Sequence, residues 1–210
     1  MALVKYNNNS ISAVTSAAAI PSGDMTLIKT VTASSSATIS FVDGSSDVVL
    51  DNTYPIYVFK FINIHPGTDT GNNRLTFQGD TGTNTNYNQS ITSTHFRAYH
   101  NEGGSGQGIG YRTATDQANG TSFQPLGEGI GAGVADESSS GELYIFEPSS
   151  SVFVKHFLAR THIYSDNNET VDSFVGGYFN TTTALTRFQF KMSSGNIDSG
   201  TIKLYGIKDS

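Results

Sequence analysis

The sequence predicts an all-β fold, an antiparallel jelly-roll-like β-sandwich of about ten strands, and three observations lead to it. Apolar residues recur with period two in short runs, and clusters of Gly, Asn, Asp and Ser separate those runs. No stretch carries a convincing helical period. Ser, Thr, Asn and Gly also stand where Ala, Glu and Lys would stabilise helix interiors, and they favour turns and sheets instead. A succession of strands without intervening helices points to Greek-key closure rather than a βαβ fold.

In chain order, the predicted strands begin with "TLIKTV" from Thr26 and "ATISFV" from Ala37. "YVFKFIN" follows, with Tyr57, Phe59 and Phe61 on one face and Lys60 on the other. "RLTFQ" from Arg74, "HFRAYH" from His95 and "LYIFE" from Leu143 are the next three. "VFVKHFLART" is apolar on both sides, with Val152, Val154 and Leu158 opposite Phe153, Phe157 and Ala159, and reads as a central strand covered on two faces. After "FVGGYF" from Phe174, "RFQFKM" gives the clearest alternation: Phe188, Phe190 and Met192 point one way, Arg187, Gln189 and Lys191 the other. The final "TIKLYGI" places Ile202 and Leu204 toward the core, so that ladder hydrogen bonds tie down the C-terminus, while Thr201, Lys203 and Tyr205 face outward or into a partner.

Two regions resist a strand reading. Residues 65–92 carry one brief strand between polar loops, and residues 101–141 are Gly-rich with scattered Tyr111, Phe123, Leu126 and Ile130. Loops of this length are expected to be functional or held by a neighbour. Residues 1–24 read as an extended docking arm, in which Tyr6, Asn7, Asn8, Asn9 and Ile20 pair or pack on a template that another protein supplies. Residues 25–210 then form the sandwich domain.

The chain has 210 residues, no Cys, no Trp, 13 Phe and 10 Tyr. One domain is expected, its core volume supplied by Phe, Tyr, Ile, Val and Leu, with no disulfide and no thiolate metal site. A net charge of −6 with 14% charged residues gives no basic stripe for phosphate contacts, so nucleic acid is not an expected partner. No run approaches the ~20 apolar residues of a membrane span, and the opening residues lack the continuous apolar stretch of a secretory signal. The expectation is a protein made in a cytoplasm that stays soluble until it assembles, without cofactor.

Motifs for chemistry are weak. Among His65, His95, His100, His156 and His162, only the last two share a strand face, about 20 Å apart at strand rise, too far for a joint metal ligand set. Glu128, Asp136, Glu137, Glu142 and Glu147 are the carboxylates from which a glycosidase pair would be drawn, and their Gly/Ser surroundings read as solvated loops. "DTGNNR" and "GDTGTNTN" lack the ligand spacing of a calcium loop, and "GGSGQGIG" lacks the Lys and the helix of a phosphate loop; it reads as a flexible or partner-ordered loop. Tyr87, Tyr99, Tyr111 and Tyr178 are read as outward aromatics that contact either a glycan or a neighbouring subunit, because Tyr combines large area with a polar tip. Subunit contact is the preferred reading, and an enzyme is not expected.

"FKMSSGNIDSGTIKLYGI", with "SGELYIFEPSSSVFVKHF" and "YPIYVFKFINIHPGTD", resembles a family of virion structural proteins in tailed phages of marine bacteria, especially cyanophages. In that family a segment like "GTIKLYGI" closes a jelly-roll-like β-domain. The resemblance implies a non-enzymatic particle component, commonly homotrimeric, on the capsid surface as a decoration or knob, or in a tail, baseplate or fibre. Its implied partners are its own copies and other virion proteins. The alternative is a glycan-binding adhesin or receptor-binding tip that reads host surface sugars.

Overall fold

A computed structural model describes residues 25–165 and 167–208; the expected docking arm, with Tyr6, Asn7, Asn8, Asn9 and Ile20, lies outside the described residues. Among the described residues there are twelve strands and no helix. They are β1 (Met25–Thr32), β2 (Ile39–Val42), β3 (Ile56–Pro66), β4 (Leu75–Thr81), β5 (Ile91–Asn101), β6 (Gln107–Tyr111), β7 (Gln124–Pro125), β8 (Ser139–Phe146), β9 (Lys155–Ser165), β10 (Glu169–Phe179), β11 (Leu185–Met192) and β12 (Ile197–Ile207). One sheet has eight strands in the order β1-β12-β3-β8-β9-β10-β5-β6, and the other has four in the order β2-β11-β4-β7. Every neighbouring pair is antiparallel.

Setting aside the hairpins β5–β6 and β9–β10 leaves eight strands. Counted along the chain, they run first-eighth-third-sixth in one sheet and second-seventh-fourth-fifth in the other. This is the double Greek key of a jelly roll. The two hairpins join each other through β10 and β5 and extend the first sheet beyond β8. The small sheet therefore faces a sheet with twice as many strands.

All ten strands read from the sequence form, and β6 and β7 are additions within residues 101–141. In β6, Gly108 and Gly110 alternate with Gln107, Ile109 and Tyr111, so one face of the strand is bare backbone and the period-two signal disappears. "GGSGQGIG" is accordingly a turn and a strand, closed by Asn101, whose backbone N–H donates to the Gly106 carbonyl at 2.8 Å. The long region is tied to its own chain by hydrogen bonds. Backbone N–H groups of Leu126 and Ile130 donate to Leu75 and Asn73, and the Thr161 hydroxyl donates to the Leu126 carbonyl at 2.7 Å.

Phenylalanine builds the core, as a chain without Trp requires. Phe59 on β3 meets Phe41, Phe188 and Phe190 of the opposite sheet edge-to-face, at centroid distances of 5.2, 5.6 and 4.9 Å. Phe77 on β4 meets Phe157 on β9 at 5.1 Å. Edge-to-face pairs place a positive ring edge on a negative ring face, so they favour one arrangement of the two sheets beyond the burial itself. Ile202 and Leu204 are fully buried as expected, and β12 is an interior strand between β1 and β3. Gly206 lets the Tyr54 ring lie on that strand, since a Cβ there would come within 2.3 Å of it.

Two expectations about buried groups are corrected. Strand β9 starts only at Lys155, which leaves Val152 and Phe153 in an exposed turn, and Leu158 faces outward instead of into a second layer. Glu128 and Glu137 are buried, not solvated. His95, on the inner face of β5, is buried as well. The Thr115 hydroxyl donates to the Arg112 carbonyl and so accepts from His95 Nδ1–H at 2.6 Å, which leaves Nε2 as an acceptor without a partner among the described residues.

Burial pushes the His95 imidazole from its ordinary 6.5 down to about 4. Glu128 opposes the change, and Arg112, Arg74 and Arg97 add to it. The unfolded chain therefore takes up this proton first, and stability falls as pH drops from about 6.5 toward about 4. We expect urea unfolding of His95→Gln between these pH values to lack a slope of up to ~1.4 kcal/mol per pH unit that the native chain shows. Parallel pH profiles would show that His95 is not the group responsible.

Candidate functional site

The outer face of the large sheet is the candidate site, because the small sheet packs only on the inner face. Cross-strand pairing aligns outward residues into rows. One row runs Leu27, Tyr205, Val58, Tyr144, Leu158 and Gly176 across six strands. The next runs Lys203, Lys60, Glu142, Arg160, Phe174, Phe96 and Tyr111. The first row is almost wholly apolar, and the second passes from charged to aromatic.

Leu158 is 56% exposed, Phe96 45%, Tyr111 53% and Ile109 82%, and Met25, Leu27 and Ile62 are exposed on the same face. The Phe96 and Phe174 rings stack at 4.8 Å with a 6° tilt. The Arg160 guanidinium lies 5.1 Å from the Phe174 ring and makes two hydrogen bonds to Asp172, at 3.1 and 2.6 Å. Lys60 pairs with Glu142 at 3.6 Å. The Asp172 carboxylate holds the Arg160 guanidinium above its ordinary pKa. Exposed pairs of this kind add little stability, but they cancel charge on a surface that otherwise belongs to an acidic chain.

Gly176 leaves a trough in the first row. It opens a cleft of about 370 Å³ whose walls are Phe96, Phe174, Leu158, Tyr144 and Arg160. Thr94 and Gly176 form its floor.

The four tyrosines separate. Tyr111 is on the outer face, where its hydroxyl donates to Asp116 at 2.6 Å. Tyr178 is outward too, edge-on to His156 at 6.1 Å, but on a different row. Tyr99 faces inward, half-buried against the core with the Arg97 guanidinium 4.6 Å from its ring. Tyr87 is only 7% exposed, at φ +48° in a loop that Asp80 folds inward, and is not a surface aromatic. The sequence does not mark Phe96, Phe174, Leu158 and Arg160 as surface residues, although "VFVKHFLART" and "SFVGGYF" carry apolar residues at both parities. That pattern marks a strand with two apolar faces, and only the topology tells which face the chain itself covers.

The remaining candidates do not converge. His65 Nδ1 bonds the Glu137 carbonyl, and His162 Nε2 bonds the Thr170 hydroxyl. Among the described residues no three His, Asp or Glu side chains gather as a metal site, and no helix is long and apolar enough to cross a membrane. No protein-family model, no curated protein and no solved structure matches the chain.

Proposed function

We propose that this protein is a non-enzymatic structural subunit of a tailed-phage virion, in the capsid decoration or the tail, and that it assembles with its own copies through the outer face of the large sheet. The apolar outer face, uncovered among the described residues, carries this reading. Apolar and aromatic side chains at this density are costly to leave in water and are the usual centre of a subunit interface. The ion pairs Lys60–Glu142 and Arg160–Asp172 neutralise one another within the face, so a second acidic chain can approach it without net repulsion. The resemblance of the C-terminal segments to virion proteins supports the particle assignment, and it implies a homotrimer. Residues 1–24 are assigned to docking on neighbouring virion proteins. Jelly rolls also serve lectins, so the fold alone does not choose.

Light scattering of the full chain at micromolar concentration is expected to give the mass of three 22.4 kDa chains. Leu158→Glu combined with Phe174→Glu is expected to give a monomer with an unchanged melting transition, because neither side chain belongs to the core. A native chain that stays monomeric, or a trimer indifferent to both substitutions, overturns the interface. Immunogold labelling of purified particles tests the virion assignment separately.

The second reading, a glycan-binding adhesin, is favoured by the cleft over the Phe96–Phe174 stack beside the Arg160–Asp172 pair, since sugar rings stack on such aromatic platforms and hydrogen-bond to such polar edges. Glycan-array binding lost in Phe96→Ala, with trimer mass retained, would select it.

A further inference from the structure

Three of the chain's five arginines meet at one carboxylate on the other side of the sheet. Arg74 lies just before β4, Arg97 on the inner face of β5, Arg112 just after β6, and Glu128 in the connection from β7 to β8. The Arg112 guanidinium grips Glu128 through Nε on Oε1 and through Nη2 on Oε2, the latter at 3.3 Å. Arg97 Nε and Arg74 Nη2 stand 3.8 and 3.9 Å from the same carboxylate, beyond hydrogen-bond reach. Arg74 Nε is buried with no partner among the described residues. Glu128 can serve one guanidinium well, and it leaves two close by with donors to spare.

Beside this cluster is a cleft of about 220 Å³ whose lining is almost entirely polar. Arg97, Arg112 and Glu128 line it, together with Asn72 and Asn167 from other connections and Glu169 from the first position of β10. Among the described residues the lining itself balances Arg97 and Arg112 against Glu128 and Glu169, and Arg74, 3.9 Å from the Glu128 carboxylate and outside the lining, adds a third positive charge beside the cleft. Arg97 is pre-positioned by its stacking on Tyr99, so little rotamer freedom remains to be lost on binding. A purely structural cluster would match its guanidiniums to acceptors; this one is held half-buried with too few of them.

We propose that this cleft is a binding site for a small oxyanion, a sulfate or carboxylate group, with Arg97 and Arg112 as its principal donors. Arginine's planar fork matches the paired oxygens of such groups, and a semi-enclosed setting strengthens each charge-assisted bond. The volume is below the ~300 Å³ at which drug-sized pockets begin, so it admits a bare anion or one acidic sugar unit and excludes a larger ligand. Asn72, Asn167 and Ser165 would supply neutral partners to hydroxyls flanking the charge.

Isothermal titration calorimetry of the full chain in low-salt buffer tests this with sodium sulfate, sodium glucuronate and glucose. Either anion is expected to bind while glucose does not; sulfate alone identifies a bare or ester sulfate as the source, and stronger binding of glucuronate identifies an acidic sugar. Arg97→Gln is expected to weaken binding about tenfold or more, and Arg97→Lys, which keeps the charge and loses the fork, to fall between. Arg97 makes no close bond to Glu128, so the melting transition of Arg97→Lys should remain native; if Arg97→Gln fails to fold, the Lys variant decides. The proposal is overturned if neither anion binds at millimolar concentration, or if anion affinity in Arg97→Lys equals that of the native chain.

Discussion

Leu204→Asp is expected to unfold the β-domain, whereas Lys203→Asp one residue earlier is expected to leave it intact. Leu204 is fully buried in β12, between Lys29 on β1 and Phe59 on β3. Replacement removes a core side chain, worth about 2–5 kcal/mol in comparable sites, and puts a carboxylate into the apolar layer between the sheets, which costs several kcal/mol more. The sum reaches into the ~5–15 kcal/mol that hold a typical domain. Lys203 points the other way, opposite Lys60, and an Asp there exchanges a like-charge neighbour for an opposite one, an effect within about 1 kcal/mol. Thermal melts followed by circular dichroism check the pair. Equal melting temperatures would mean that the inward parity of β12 is wrong.

That parity was legible because β12 sits between two strands and has only one face against the core. The same holds for Phe188, Phe190 and Met192 on β11, and for Tyr57, Phe59 and Phe61 on β3. Alternation is a local property, and where one face is dry and the other wet the local pattern suffices. It fails on β9 and β10. There both parities are apolar, and the pattern alone could not distinguish a strand roofed by its own chain from one roofed by another molecule. The pattern therefore reads Leu158 as buried in its own domain, although it faces outward from a sheet with twice as many strands as the one that packs against it. The site was hidden for a topological reason. Only the joining of β10 to β5 brings Phe174 beside Phe96, and their residue numbers are 78 apart.

The arginine cluster was illegible for a related reason. Arg74, Arg97, Arg112 and Glu128 come from four separate segments, and nothing in their spacing links them. Their meeting depends on β7 docking beside β4 and on Ile130 pairing with Asn73, both within the Gly-rich region that reads as loop. Polar networks order that region. Gln124, fully buried, receives a hydrogen bond from Ser93 at 2.7 Å and donates to the Thr115 carbonyl at 2.8 Å. Hydrophobic periodicity carries no trace of such bonds.

The connection after β4 follows the same logic and gives the second large effect, expected from Asp80→Ala. Asp80 is fully buried, and its carboxylate accepts four hydrogen bonds. Oδ1 accepts from the Thr81 backbone N–H at 2.8 Å, from Asn84 Nδ2 at 2.9 Å and from Gln89 Nε2 at 2.9 Å. Oδ2 accepts from the Tyr87 backbone N–H at 2.7 Å. These bonds wrap "TGTNTNYNQ" around one side chain and turn Tyr87 inward at a positive φ that a bulky residue rarely adopts. Removing the acceptor strands four donors at once, one of them a buried backbone N–H. Each is worth on the order of 1–3 kcal/mol, and partial access of water to the outer ones brings the expected total to about 3–5 kcal/mol. Asp80→Asn should cost less, since its carbonyl can keep the Oδ1 partners while its amide opposes the Tyr87 N–H. Hydrogen exchange localises the effect: in Asp80→Ala the Tyr87 amide should lose its protection while Phe190, on the neighbouring β11, keeps most of its own. If Asp80→Ala melts with the native chain and Tyr87 stays protected, the loop is held by its burial against Phe123 and not by the carboxylate.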